Sequence, residues 1–269
     1  MDKFQGFTNL LRLFTIFSLA CISVIGMSAA FPSRRVRNSV QQRLADLSKE
    51  TDLDSLKLIN QTKAFTVISK EKSPEGVIRL KLRNDYQKRI TAFEISIGST
   101  TTLVDTTFSM HDDTIAPGEY RDELLALSID PELKGRGINI LAVVFEDGTA
   151  DGLVASIREI EDYRLGERME MDHVGKLLDS ISNAPTTALT SVLVEVQSNI
   201  LSSTPDGAKN QRSIFVQFGV KDTKERISAY IDNIKNDPGA TKFNKLLEYS
   251  ASKSLALKTY FDKIEYKQQ

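Results

Sequence analysis

Tryptophan is absent from the 269 residues, histidine occurs twice and cysteine once. Each scarcity removes a class of chemistry. One cysteine cannot close an internal disulfide, so stability must come from core burial, which a chain of this length supplies. His111 and His173 stand far apart in the sequence, and neither has a second histidine nearby to complete a closed zinc site. Ser109 lies two residues before His111, but nothing resembles the Gly-x-Ser-x-Gly turn that exposes a nucleophilic serine. No phosphate-cradling glycine loop, dinucleotide fingerprint or Cys-x-x-Cys occurs. Without tryptophan, a carbohydrate-stacking surface would rest on the seven tyrosines.

An excess of charge of either sign is also missing. Residues 1–30 contain Lys3, Arg12 and Asp2, and the remainder holds 33 basic and 35 acidic side chains, a formal charge of −2. Nucleic-acid affinity depends on many phosphate contacts from Lys and Arg, so this balance excludes nucleic acid as a partner. The chain is 41% apolar and 26% charged, the composition of a globular protein.

The first thirty residues read as a basic start with Lys3 and Arg12, an apolar core from Leu13 to Ile25, and small residues Ser28, Ala29 and Ala30. That order predicts a signal peptide over residues 1–30, cut after Ala30, and an exported protein, periplasmic or extracellular. The alternative is a membrane anchor over residues 13–30, which approaches the about 20 residues needed to span a bilayer. Arg34, Arg35 and Arg37 follow directly. Positive charge there favours the cytoplasmic side and keeps the anchor reading open. Cys21 adds a lipoprotein alternative, but Ser18 stands where such signals place an apolar residue, three before the cysteine.

Val36, Val40, Leu44 and Leu47 recur at helical steps and predict a helical linker or arm within residues 31–62. From residue 63 to 150 the texture changes to short β-branched runs: Ala64–Ile68, Val77–Leu82, Ile90–Ile97, Thr102–Phe108 and Ile138–Phe145. Ile78, Leu80 and Leu82 alternate with Arg79 and Lys81, the pattern of a half-buried antiparallel strand. Turns fall at Ser73–Gly76, Asn84–Asp85, Ala116–Gly118 and Lys134–Gly137. Tyr120–Leu127 fits a strand or one helical turn, and the strand is favoured. Strands without crossover helices predict an antiparallel β-sandwich.

Residues 151–269 change to helical periodicity. A long, highly charged segment carries Leu153, Ile157, Ile160, Leu165, Met169, Leu177, Leu178 and Ile181, with Asp151 as its expected cap and bends expected near Gly166 or Gly175. Further helices are expected over Thr187–Leu201, Ile214–Ile234 and Thr241–Tyr266, separated by Pro205–Gly207 and Asp237–Gly239. The fold class is therefore a segregated α+β, a sandwich followed by a four-helix region.

Few motifs carry chemistry. His111, Asp112 and Asp113 could ligate a transition metal, but read more simply as a solvated loop. Glu146 to Gly152 is an acidic, glycine-bearing loop after a buried strand, and Asp147 and Asp151 offer carboxylates of the kind calcium prefers. Their spacing departs from a calcium loop, and Asp147–Gly148 reads as a tight turn with positive φ at the glycine. Arg158, Arg164 and Arg168 alternate with Glu159, Glu161, Asp162, Glu167 and Glu170, which predicts a solvated helix face laced with ion pairs.

Ile140 to Thr149, preceded by Ile90–Ile95 and Ile115–Gly118, resembles a set of uncharacterised exported bacterial proteins in which a Val-x-Phe-x-Asp-Gly-Thr strand closes a small immunoglobulin-like β-sandwich. The resemblance covers about a third of the chain and implies the sandwich but no activity, cofactor or catalytic residue. The expectation is an exported, non-enzymatic binding or structural module, with no metal or cofactor and a protein or envelope component as partner. The membrane is touched only through the N-terminal segment if it stays attached. Two alternatives stand beside it: a carboxylate-based hydrolase using Glu146, Asp147 or Asp151, and an envelope protein anchored through residues 13–30.

Overall fold

Hydrophobic alternation in the strands and a change of period at Gly152 organise the chain into a sheet part and a helix part. The computed structural model describes residues 56–72, 77–98, 100–106, 114–126, 137–181, 189–205, 207–211, 213–234 and 237–268. The signal peptide or anchor, most of the 31–62 arm, Ser109, His111–Asp113 and the Ser73–Gly76 turn lie outside the described residues. So does most of the Lys134–Gly137 turn. The described residues fall in one compact unit, Leu47–Gln269. No helix among them is long and apolar enough to cross a membrane.

Among the described residues the fold is α+β, with two sheets of mostly antiparallel strands and four helices. The strands are β1 (Leu58–Asn60), β2 (Phe65–Lys72), β3 (Val77–Asn84), β4 (Ile90–Ile97), β5 (Thr100–Asp105), β6 (Tyr120–Ala126), β7 (Ile138–Phe145) and β8 (Ala150–Gly152). One sheet runs β1-β7-β4-β5 with β8 also on β7, and the other runs β2-β3-β6. The expectation for residues 31–62 is a helical linker or arm. Instead β1 pairs parallel with β7, Leu58 opposite Ile138.

Ile78, Leu80 and Leu82 of β3 meet Phe93 and Ile95 of β4 and Ile138, Ile140, Val143 and Phe145 of β7 in one buried cluster. The inward positions of β7 pass from even to odd numbers because register shifts at Ile90/Ala92 and Glu94/Ile95 accommodate bulges against β4. Ala92, Ala142 and Val144 then face the opposite way, into a second cluster with Ile160 and Tyr260. That is why β4 and β7 are apolar on both faces.

The helices are α1 (Val154–Ile181), α2 (Leu189–Ser202), α3 (Ile214–Asn233) and α4 (Gly239–Gln268). Ile157 and Ile160 of α1 and Tyr260, Phe261 and Ile264 of α4 cover the outer face of the β7-β4-β5 sheet. Farther along, Met171, Val174 and Leu178 pack with Leu193, Val196 and Ile200 of α2, Ile227 and Ile231 of α3, and Phe243, Leu246 and Leu257 of α4. Leu193, Val196 and Ile200 of the helix expected over Thr187–Leu201 are therefore core.

Gly166 does not interrupt α1. It lets α1 meet α3: a Cβ there would fall 2.1 Å from the Val216 carbonyl oxygen, and one on Gly219 would fall 2.0 Å from the Tyr163 carbonyl oxygen. The two helices touch backbone to backbone.

Candidate functional site

The backbone contact at Gly166 and Gly219 brings the charged face of α1 inside. Arg164, Glu167 and Glu170 are buried, with Arg164 at 1% and both glutamates at 0% exposure. This corrects the expectation of a solvated face. Ser156, Ile160, Tyr163, Arg164, Glu167, Glu170, Met171, Val174 and Leu178 form the buried stripe, whereas Leu153 is exposed and Leu165 and Met169 are half-buried.

Arg164 joins helix to sheet. Its Nε donates to Asp105 Oδ2 at 2.5 Å, and its Nη2 donates to Asp105 Oδ1 at 3.3 Å and Thr91 Oγ1 at 3.0 Å. The guanidinium sits 4.2 Å from the Tyr260 ring centroid, so β4, β5, α1 and α4 converge on one cation. Burial by itself favours the neutral form, but the Asp105 carboxylate outweighs it and holds Arg164 more firmly protonated than usual.

One turn on, Glu167 Oε1 accepts from Arg226 Nη1 at 3.2 Å. Arg226 Nη2 donates to the Tyr163 hydroxyl at 3.2 Å, and that hydroxyl donates to Asp222 Oδ2 at 3.0 Å. Burial pushes the Glu167 carboxyl upward and Asp105 adds to the shift, opposed by Arg226 and Arg164. Glu167 Oε2, both carboxyl oxygens of Glu170 and Thr223 Oγ1 are buried without a hydrogen-bond partner. Burial lifts Glu170 to about 7, opposed by Lys224.

His173 is on α1, and its Nε2 lies 2.8 Å from Ser203 Oγ at the end of α2. The Ser203 hydroxyl donates to the Asn199 carbonyl at 2.5 Å, and Lys224 Nζ donates to the Ser203 carbonyl. His173 and Ser203 thus meet at the carbonyl end of α2, where the Ser203 hydroxyl and Lys224 satisfy the Asn199 and Ser203 carbonyls.

Of the three acids of the glycine-bearing loop, Glu146 is exposed, and Asp147 and Asp151 are engaged by protein donors. Asp147 accepts from the Thr149 amide at 2.9 Å and pairs with Lys88 at 2.8 Å. Partial burial opposes its ionisation, but hydrogen bonds from Lys88 and Thr149 prevail and hold the carboxyl below its usual range. Gly148 has φ 76°, as the expected tight turn requires. Asp151 is in β8 and does not cap α1: its Oδ2 accepts from the Lys63 and Ala64 amides at 2.5 and 3.2 Å. Among the described residues no three His, Cys, Asp or Glu side chains are grouped to hold a metal ion.

The β2-β3-β6 sheet has an outer face that the helices leave uncovered. Arg79, Lys81 and Arg83 point outward from β3, opposite Leu124, Asp122 and Tyr120 of β6. Tyr120 is 53% exposed, Leu124 52% and Ile68 44%. Lys81 Nζ lies 5.1 Å from the Tyr120 ring centroid. Comparison with protein-family models, curated proteins and solved structures finds no match.

Proposed function

We propose that this chain is an exported, non-enzymatic binding module: a β-sandwich of the immunoglobulin-like kind, scaffolded on one side by four helices and binding through the other. The observation that carries the reading is the uncovered outer face of β2-β3-β6, where Leu124 and Tyr120 of β6 stand in solvent opposite Arg79 and Arg83 of β3. Exposed aromatic and aliphatic groups next to arginine are the composition of interface centres. The buried ionisable groups face one another across elements and serve to position helices on the sheet. The partner is a protein or envelope component.

A photo-crosslinking residue at position 124, with a second at exposed Val194 as comparison, tests the reading in cells. A discrete adduct at 124 that disappears with Tyr120→Ala and Arg79→Ala supports it; an equal yield at 194, or none at 124, refutes it. N-terminal sequencing of the same product reads the export step: a start at Phe31 means a cleaved signal, and an intact Met1 means an anchor.

A further inference from the structure

The sheet edges differ in how they are guarded. β2, at one edge of its sheet, has a bulge between Val67 and Ser69 and ends in Lys70, Glu71 and Lys72. β6, at the other edge, carries Arg121, Asp122 and Glu123. Charges and bulges of this kind discourage a further strand from adding. β5 ends the β1-β7-β4-β5 sheet without either device. It reads Thr-Thr-Thr-Leu-Val-Asp, keeps an unbroken register with β4, and contains no lysine, arginine, glutamate or proline. Its one charge, Asp105, is turned to Arg164 beneath the helices.

The ladder fixes which main-chain groups of β5 point away from β4. Thr106 N–H donates to the Thr91 carbonyl at 2.9 Å, and the register runs on from there through Asp105 opposite Ala92 and Val104 opposite Phe93. Hydrogen-bonded pairs alternate along an antiparallel ladder. Val104, Thr102 and Thr100 therefore bond to β4, and the N–H and C=O groups of Thr101 and Leu103 face the outer edge. No strand among the described residues pairs with β5 on that side. Thr101 and Thr102 are exposed, while Leu103 is half-buried with its side chain packed against the helix-side cluster. Main-chain groups aimed outward by a regular strand are a template for another strand.

We infer that β5 pairs antiparallel with β5 of a second copy of this chain, about a two-fold axis at Thr102, joining the two sheets edge to edge. On that axis Thr101 of each copy lies opposite Leu103 of the other, so every outward N–H of these residues meets a C=O. Thr102 faces Thr102 as a non-hydrogen-bonded pair, and Thr100 faces Val104, both of them favourable cross-strand combinations. Positions 100 to 104 hold no charged residue, so the pairing opposes no like charges. The same edge serves both copies, and the contact closes at a dimer. This edge is separate from the outer face of β2-β3-β6, so the two readings stand or fall independently.

Thr102→Cys in a Cys21→Ser background tests the register. Directly opposed non-hydrogen-bonded residues bring their Cβ atoms about 4.5–5.5 Å apart, close to disulfide reach, so mild oxidation should link two full chains through position 102. Position 101 meets its own counterpart only on the diagonal, about 7–8 Å away, and Thr101→Cys should link far less. Adding Thr101→Pro to the Thr102→Cys chain removes an outward N–H without breaking a bond to β4, and should cut linkage by about tenfold or more. Equal linkage at 101 and 102, or none at 102, overturns the proposal. A second reading needs no variant: residue-resolved hydrogen exchange of the wild-type chain across a concentration series. The Thr101 and Leu103 amides should gain protection as concentration rises, while those of Thr102 and Val104 stay protected throughout. Free exchange of Thr101 and Leu103 at every concentration overturns the pairing. Protection of those amides in a chain that sediments as a monomer overturns it equally, because the edge is then covered from within one chain.

Discussion

Replacing Arg164 by methionine removes a cation whose side chain is 1% exposed from an anion, Asp105, whose side chain is 0% exposed. Methionine fills much of the same volume against Tyr260, and Thr91 keeps its bond to the Val144 carbonyl at 3.2 Å. The loss is therefore chiefly electrostatic. Breaking a buried pair by removing one partner costs about 3–5 kcal/mol, because the remaining charge is left without compensation. With a urea slope of about 2–3 kcal/mol per M for a unit of this size, the unfolding midpoint should fall by about 1–2 M. The double variant Arg164→Met with Asp105→Leu removes both charges and should recover most of that loss, since apolar replacement of a buried pair is often neutral or better. Equilibrium urea unfolding followed by circular dichroism measures both. A midpoint change below about 0.5 M for the single variant, or a double variant as unstable as the single one, would refute the claim that the charge pair holds helix to sheet.

Gly219→Ala should destabilise by about 2 kcal/mol or more despite a helix-propensity gain of about 1 kcal/mol, because its Cβ would lie 2.0 Å from the Tyr163 carbonyl oxygen. Calorimetry should show a Tm lower by about 4–8 °C. Gly175→Ala, where a Cβ meets nothing within 4 Å, should stabilise by up to about 1 kcal/mol. Glu170 is raised to about 7 in the folded chain, so its contribution is fullest in acid and declines as pH climbs from the ordinary carboxylate range through about 7. Glu170→Gln should flatten that decline in a stability series from pH 5 to 8.5 and be the more stable form at its upper end. Asp151→Ala leaves the Lys63 and Ala64 amides without their acceptor and should cost about 1–2 kcal/mol, read as a urea midpoint shift.

The limits of the sequence are clearest on β4 and α1. Alternation marked β3 because one of its faces is wet, so Arg79 and Lys81 declare the strand while Ile78, Leu80 and Leu82 declare the core. On β4 both faces are covered, and alternation vanishes; Glu94 then gave no sign that it lay beneath a helix. Bulges between β4 and β7 move the inward positions from even to odd, which a fixed period of two cannot anticipate. β1 and β8, at three residues each, are too short to show any period.

On α1 the apolar residues Leu165 and Met169 suggested one face, and the buried stripe passes instead through Arg164, Glu167 and Glu170. The partners of Arg164 and Glu167, Asp105 and Arg226, are each 59 residues away, one towards either end of the chain, beyond any local signal. The glycines were legible only as helix-weakening positions. A backbone contact between α1 and α3 needs a glycine on each helix, and nothing in one segment announces the other.

By itself, then, the sequence determined the elements: where alternation makes strands, where a 3.6-residue period makes helices, and where Pro–Gly and Asp–Gly turn the chain, because these follow from local sterics and from one wet face. Tertiary structure alone decided which charges went inside. The desolvation of Arg164, Glu167 and Glu94 depends on which helix lies over which sheet, and only the close approach at Gly166 and Gly219, with α1 and α4 laid across β4 and β7, removes those groups from water.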